Sequence, residues 1–470
     1  MQTLRKTRIV ATIGPATNKP EILEQLICAG VDIFRVNMSH GTHEDHSRAI
    51  ENIRAISDKL GQPVGIMADL CGPKIRVGKF PGGGIDLVAG EKATITTRDV
   101  EGGPRLIVSM YRELHRDLKA GDPVLFDDGL MDATVLSVTG QDLCIRIEHG
   151  GFLKNNKGMN LPGAKLSVGA LTPKDRIDAK FALKAGVDYL ALSFVRCPED
   201  IEALRELITE EGATTPIIAK IEKPEALERI EAIVDCADGL MVARGDLGVE
   251  LPLEKVPIVQ RDLVLRARAQ SKPVIVATQM LESMIQNPRP TRAEVSDATT
   301  AVIMGTDAVM LSAETAVGLY PVQAVEMLHR ISIEAERWQE SLPQSPDPVL
   351  HGGQKSVLRL AVARATMQLA RDLNVGAVVV RSLGGRSARV VSSTRPLAPI
   401  IALTTSPETV RRLRLHRGVI PCLVTQEEFN QPRPAARELA RRLGLVKTGE
   451  YLLLLAGFGR EEPTLTALPV

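Results

Sequence analysis

Aromatic side chains are scarce in this chain: Phe, Tyr and Trp make up 3% of its 470 residues, with a single Trp. That is too few for the stacking platforms that hold single-stranded nucleic acids. Neither sign of charge is in excess. Lys and Arg number 58 against 57 Asp and Glu, a net charge of +1, so no general field draws the chain to nucleic acid or anionic lipid, although a local patch can still do so. No run of 18 apolar residues occurs, and the opening MQTLRKTRIV lacks the apolar core of a signal peptide. The six cysteines, at 28, 71, 144, 197, 236 and 422, include no C-x-x-C pair. This argues against a disulfide framework or a zinc site and for a reducing compartment. What is there is a 44% apolar, 24% charged composition, ordinary for a globular protein. The length suits about two to four domains of roughly 100–200 residues. A cytoplasmic enzyme with no membrane and no nucleic-acid partner is the expectation.

Eight short apolar runs punctuate the chain: RIVATIG (8–14), VDIFRVNM (31–38), PVGIMADL (63–70), VDYLALSFV (187–195), TPIIAKIE (215–222), DGLMVARG (238–245), PVIVATQM (273–280) and DAVMLSAE (307–314). Each is rich in Val, Ile and Leu without strict alternation, as befits strands of a parallel sheet buried on both faces. Amphipathic stretches such as NKPEILEQLICAG (18–30) and CPEDIEALRELITEEG (197–212) lie between them. Strands alternating with helices in this number predict a closed (β/α)₈ barrel.

The rhythm breaks between the third and fourth runs. Short strands (KATITT, RLIVSM, PVLFDD, ATVLSV, LCIRIE) separated by turn residues fill the gap, predicting a small β-barrel domain inserted at a loop of the larger one. Residues 341–356, rich in Pro, Ser and Gly, read as a linker to a second, smaller α/β domain with its own sheet. The predicted division is a discontinuous catalytic barrel (1–70 plus 169–345), a β-rich lid (71–168) and a C-terminal α/β regulatory domain (346–470).

Chemistry in such barrels gathers at the C-terminal ends of the strands. Polar residues stand there in six of the eight runs: Arg35, Asn37 and Ser39; Asp69; Lys220 and Glu222; Arg244 and Asp246; Thr278; Ser312 and Glu314. A single buried charge in a barrel is ordinarily structural; six strands feeding one rim are not. Glu222 and Asp246 offer hard oxygens for Mg²⁺, with water and substrate completing its shell. Arg35 and Lys220 bring positive charge to a phosphoryl group. In ARGDLG, a tight turn opens a short helix where the amides of Gly245 and Asp246 suit a carboxylate. Metal, cations and amides together fit phosphoryl transfer, in which catalysis is mostly positioning and charge neutralisation.

Nine segments in order, RIVATIGPAT, FRVNMSHG, DLCGPKIR, KGMNLPG, IIAKIEKPEAL, MVARGDLGVE, ATQMLESM, PTRAEVSDA and MLSAETAVGLYP, resemble the pyruvate kinase family from about residue 5 onward, most weakly in the inserted and C-terminal domains. The resemblance implies transfer of the phosphoryl group of phosphoenolpyruvate to ADP, giving pyruvate and ATP, the last step of glycolysis. It implies Glu222 and Asp246 as ligands of Mg²⁺, with Mn²⁺ as a substitute. Lys220 is similar to the lysine that stabilises the phosphoryl in flight and the forming enolate, and its compact ammonium suits that role. Thr278 matches the threonine beside the enolate face. With Gly245, Asp246 and Ser312 it completes the substrate side, where Thr278 binds the carboxylate and helps deliver a proton through water. Arg35 resembles the phosphate-contacting arginine, and Arg76 a second charge near the nucleotide phosphates. Thr12, Pro15, Asn37, His40 and Lys157 match nucleotide-side positions, and Asp127 the tip of a lid that excludes water.

Two departures stand out. Asn37, Ser39, Asp69 and the carbonyl of Leu70 correspond to the family's K⁺ site, but the residue after Gly-Pro, Glu in potassium-requiring members, is Lys74 here. A tethered ammonium supplies the charge that the ion otherwise brings, so K⁺ is expected to be dispensable. Val317 stands where some members carry a lysine near the nucleotide.

In the last domain, SLGGRSA (382–388) follows a strand and opens a helix. There Ser382, Gly384, Gly385, Arg386 and Ser387 match the family's phosphate-binding effector loop. Phe458 replaces a tryptophan common in sugar-bisphosphate-activated relatives, so a sugar monophosphate or a nucleotide monophosphate such as AMP is the expected activator. Arg292, in PTRAEV, matches an intersubunit contact and implies a homotetramer.

Other signals are read as bland. His40, His43 and His46 have ligand-like spacing but no evident supporting partners, and Cys71 is taken as inert. RRLRLHRG (411–418) is expected to be a solvated or intersubunit helix rather than a nucleic-acid patch. Two other functions stay open from the residues. One is a class I aldolase-like barrel with Lys220 as a Schiff-base amine. The other is a phosphometabolite sensor that has lost turnover, against which the intact Lys220, Glu222, Asp246 and Thr278 speak.

Overall fold

The computed structural model describes residues 4–164, 166–342, 354–457 and 463–470. Most of the linker and Phe458 lie outside the described residues.

Each apolar run contains one strand of the barrel: β1 (Arg8–Thr12), β2 (Ile33–Asn37), β3 (Gly65–Asp69), β4 (Tyr189–Leu192), β5 (Ile217–Ile221), β6 (Gly239–Ala243), β7 (Val274–Ala277) and β8 (Ala308–Leu311). All are parallel, each pairs with the next, and β8 closes on β1 with Arg8 opposite Ala308. The strands are shorter than the runs because the polar ends leave the sheet for the rim. Val10, Ile33, Met67, Tyr189, Ile218, Met241 and Ile275 fill the interior, while the opposite faces pack under the helices. Burial on both faces is why no polar alternation marks these strands. The helices are punctuated locally. Thr42, Thr172 and Thr291 each cap a helix in a reciprocal capping box with Asp45, Asp175 and Glu294, each cap contributing about 1 kcal/mol.

Between β3 and helix Pro173–Lys184, a six-stranded sheet and a two-stranded ribbon enclose a separate apolar core that includes Ile95, Ile107, Phe126 and Ile145. The ribbon pairs Gly84–Leu87 with Gly151–Lys154, neither of which is among the strands predicted from the sequence. The C-terminal sheet has four parallel strands and an antiparallel edge, Thr464–Pro469, also unforeseen because its polar residues and proline suit only an edge.

The arginine run 411–418 corrects its expectation. It is not a solvated helix; it is the contact between the C-terminal domain and the floor of the barrel. Leu415 is fully buried with the residues that fill the barrel, and the charges around it meet carboxylates at or near the N-terminal ends of the strands. Arg411 pairs with Asp188 at 2.8 Å and Arg414 with Asp32 at 2.7 Å. Arg417 lies 3.6 Å from Glu336, and Arg395 pairs with Asp307 at 2.7 Å. Such pairs add little net stability, because desolvation offsets attraction, but removing one partner typically costs about 3–5 kcal/mol.

Candidate active site

At the C-terminal mouth of the barrel, Lys220 is the hub. Its Nζ donates to Ser193 Oγ at 2.7 Å and lies 2.9 Å from Glu222 Oε1 and 3.3 Å from Asp69 Oδ1. Burial disfavours its charge, but Asp69 and Glu222 outweigh that, so its pKa is raised and the ammonium stays protonated. Asp69 Oδ2 accepts from Arg35 Nε at 2.6 Å. Burial alone pushes the Asp69 carboxyl up, yet Lys220 and Arg35 hold it below its ordinary value. Arg35 also donates to Thr12 Oγ1 at 3.2 Å. Four strand ends, β1, β2, β3 and β5, thus converge on one charged cluster.

Glu222 Oε2 accepts the amide of Phe194 at 2.8 Å. Burial raises the Glu222 pKa, and the nearby charge of Asp246 adds to that against the pull of Lys220. Asp246, in helix Arg244–Glu250, has no hydrogen-bond or ion-pair partner among the described residues. Two neighbouring carboxylates, one without a partner and the other raised by burial and by its neighbour's charge, are the donor set a hard divalent cation takes. No group of three or more His, Cys, Asp or Glu side chains suited to a metal occurs among the described residues, so the rest of a shell here has to come from water and substrate oxygens.

Thr278 stands beside them with a left-handed φ of +72°, unusual for a β-branched residue. Its Oγ1 accepts the Gly245 amide at 2.6 Å. Arg244 holds this turn through the carbonyls of Thr278 at 2.7 Å and Gln279 at 3.3 Å, and is itself paired with Asp297 at 2.6 Å. The predicted carboxylate pocket therefore has its hydroxyl and one amide already facing each other. Ser312 Oγ, at the end of β8, is buried without a hydrogen-bond partner among the described residues. Glu314 accepts the Ser312 and Leu281 amides at 2.7 and 3.1 Å, which makes it a brace of the loop.

On the other side of the mouth, burial and the charges of Arg76, Lys74 and Arg35 keep the His40 pKa low. Arg76 donates to the Asn156 carbonyl at 2.8 Å. Asn37 Oδ1 accepts the Ser39 amide at 3.1 Å, and the Leu70 carbonyl accepts Ser193 Oγ at 2.7 Å. Pro15 is exposed on the turn after β1. There Gly14 is required, since a Cβ would come 2.4 Å from the Ala316 carbonyl oxygen. Asp127 opens the turn below the insert's tip and pairs with Lys157 at 2.7 Å, joining two residues predicted for separate roles. The cleft between insert and rim is lined by Lys74, Asp128, Asn160, Phe194, Lys223 and Asp246.

Away from the mouth, Arg292 is exposed at the start of its helix. His43 stacks on Phe181 and pairs with Asp178, a structural role. In the C-terminal loop, Gly385 adopts φ +82° before helix Arg386–Ser393, and Ser382 Oγ accepts the Ala388 amide at 3.2 Å. A Cβ at Gly384 would meet open space, and Arg386 and Ser387 stand in the first turn of the helix. Reading the sequence missed Ser193, Phe194, Lys223 and Glu250. Ser193 near the end of run four and Lys223 directly after run five carried a signal of the same kind as the rim residues; Phe194 and Glu250 carried none.

A model of the pyruvate kinase barrel domain matches residues 4–325, and one of the pyruvate kinase alpha/beta domain matches residues 360–468. The chain belongs to the pyruvate kinase family. It is 45% identical over 458 residues to pyruvate kinase 2 of Synechocystis sp., covering 96% of this chain and 76% of that one. It is 42% identical over 458 residues to the pyruvate kinase of Mycobacterium intracellulare, covering 96% and 95%. A solved pyruvate kinase from Cryptosporidium parvum superposes with a TM-score of 0.90 at 35% identity, over 99% of this chain and 96% of that one. As a pyruvate kinase family member the chain is a phosphotransferase with the closed barrel of that fold.

Proposed function

We propose that this chain transfers the phosphoryl group of phosphoenolpyruvate to ADP at the barrel mouth, with Lys220, Glu222, Asp246 and Thr278 as its working groups. The observation that carries this reading is the meeting of Lys220 Nζ with Asp69, Glu222 and Ser193 within 3.3 Å, beside Asp246. Phosphoryl transfer asks for little covalent chemistry and much fixed charge. Glu222 and Asp246 would hold Mg²⁺, or Mn²⁺ in its place, which when bound neutralises charge on phosphoryl and enolate oxygens. Arg35 orients the phosphate. Lys220, kept protonated by its two carboxylates, stabilises the phosphoryl in flight and the enolate left behind. The Gly245 amide and Thr278 hydroxyl exchange their mutual bond for the substrate carboxylate, with Ser312 Oγ as a further donor. Thr278 then orients the water that delivers a proton to the methylene carbon. Thr12, Pro15, Asn37, His40, Arg76 and Lys157 take the nucleotide side, where burial and the neighbouring cations favour the neutral form of His40.

The raised pKa of Lys220 disfavours the Schiff-base alternative, which needs a neutral amine. A coupled assay following pyruvate from phosphoenolpyruvate and ADP tests the proposal; no turnover above background in saturating Mg²⁺ rejects it.

Finer readings follow from the same residues. K⁺ is dispensable: Lys74 stands with Arg35 and Arg76 around His40, and both Asp69 oxygens are engaged by Arg35 and Lys220. The chain divides into the barrel (1–70 plus 169–345), the lid (71–168) with Asp127 near its tip, and the regulatory domain (346–470), a division supported by the separate apolar core of the insert and by the cores on the two faces of the C-terminal sheet. Ser382, Gly384, Gly385, Arg386 and Ser387 bind a phosphorylated activator, a sugar monophosphate or AMP. Arg386 also borders a cavity of about 510 Å³ between this domain and the barrel floor. Arg292 contributes to a homotetramer interface, and the enzyme works in the cytoplasm.

A further inference from the structure

Lys223 and Glu250 form a buried ion pair, Nζ to Oε1 at 2.5 Å, with side chains 8% and 1% exposed. Neither carries a step in the mechanism above. Their positions in the chain are what matter. Lys223 directly follows Glu222 at the end of β5, and Glu250 is the last residue of the helix that carries Asp246. One contact therefore ties together the two segments that deliver the two metal-facing carboxylates. A second link starts from the same ammonium. Lys223 Nζ lies 6.0 Å from the centre of the Phe194 ring, within cation–π range. The Phe194 amide, turned by a left-handed φ of +56°, donates to Glu222 Oε2 at 2.8 Å. That backbone conformation is costly for a bulky side chain and persists only where its surroundings hold it. Burying a Lys–Glu pair brings little net stability over an apolar pair of the same volume, so stability alone does not account for it.

We propose that Lys223 and Glu250 are positioning residues that set the separation and orientation of Glu222 and Asp246, and through them the affinity for the divalent cation. The proposal rests on the reading of Glu222 and Asp246 as the metal ligands. Partners that orient ligands without touching the metal commonly change affinity by about 10–100-fold when removed.

The test is Mn²⁺ binding to the full-length, substrate-free protein, followed by electron paramagnetic resonance of free Mn²⁺. Glu250→Gln and Lys223→Met should each raise the Kd for Mn²⁺ by about tenfold or more, and Lys223→Arg, which keeps the charge, should stay within about threefold of the parent. The doubly apolar variant Lys223→Met with Glu250→Leu leaves no buried orphan charge and should fold; it should weaken Mn²⁺ as the single variants do. In saturating Mn²⁺ the KM for ADP should not move. A Kd within about twofold of the parent in the folded double variant overturns the proposal. Glu222→Gln and Asp246→Asn separate the two readings. If these keep Mn²⁺ affinity, the ligand assignment has failed; if they lose it while the Lys223 and Glu250 variants do not, the positioning role has failed.

Discussion

Arg414 crosses from the C-terminal domain to place its guanidinium 2.7 Å from Asp32, a carboxylate that Arg5 and Arg8 already hold at 2.8 and 3.1 Å. Burial pushes the Asp32 carboxyl up, but the three arginines prevail and bring its pKa down to about 2. A folded pKa below the unfolded one stabilises above the unfolded value. The contribution of Asp32 is therefore complete above about pH 4 and is lost as pH falls through about 2.

His416, in the same contact, acts at milder pH. Burial lowers its pKa to about 3; Arg389, Arg395 and Arg8 add to this, and Asp307 opposes it. The folded protein refuses a proton that the unfolded chain accepts below about 6.5, so this stability is complete above that pH and drains away between about 6.5 and 3. One such proton gives a slope of about 1.4 kcal/mol per pH unit. Urea unfolding of His416→Gln should show a pH dependence flatter by about that amount between pH 5 and 6. An unchanged slope would disprove the assignment.

Lys220→Met should lower kcat by about 10³-fold or more while circular dichroism shows a folded chain, since it removes the buried ammonium proposed to face the transferred group. It also leaves Glu222 buried without its cation and Asp69 with Arg35 alone, so Tm should fall as well. Near-normal turnover would remove Lys220 from the mechanism.

Turnover in tetramethylammonium buffer should stay within about tenfold of the rate in K⁺ under the proposal that the Lys74 ammonium supplies the charge the ion otherwise brings. Lys74→Glu should create a K⁺ requirement. A parent enzyme that is itself silent without K⁺ would show that Lys74 does not replace the ion.

Arg244→Lys should reduce kcat/KM for phosphoenolpyruvate by about 10–100-fold, because lysine cannot reproduce the fork that holds the Thr278 and Gln279 carbonyls and Asp297. The KM for ADP should change little, as the nucleotide side lies across the mouth. Equal loss for both substrates would mean that Arg244 supports the fold and not the threonine turn.

The sequence carried most of this site because strand ends obey a simple rule. Arg35, Asp69, Lys220 and Thr278 each interrupt or end an apolar run, and the closed barrel turns those interruptions to one rim. Pairings between distant elements left no such trace. The 411–418 run looked like a solvated helix because its partners, Asp188, Asp32 and Glu336, lie far away in the chain and only the fold unites them. Glu250 was invisible for the same reason: nothing local separates a helix-end glutamate in water from one buried on Lys223. The Gly245–Thr278 contact depends on a positive φ that no threonine advertises.

Leu415 closes the lower end of the barrel as a stopper would, and the stopper belongs to another domain. Trimming the chain to its catalytic portion would admit water to the cylinder, leave Asp307 without Arg395, and reduce Asp32 to Arg5 and Arg8 and Asp188 to Arg54. Any chimera that grafts a foreign regulatory domain onto this catalytic portion has to carry over that leucine and its arginines, or redesign the floor they cover.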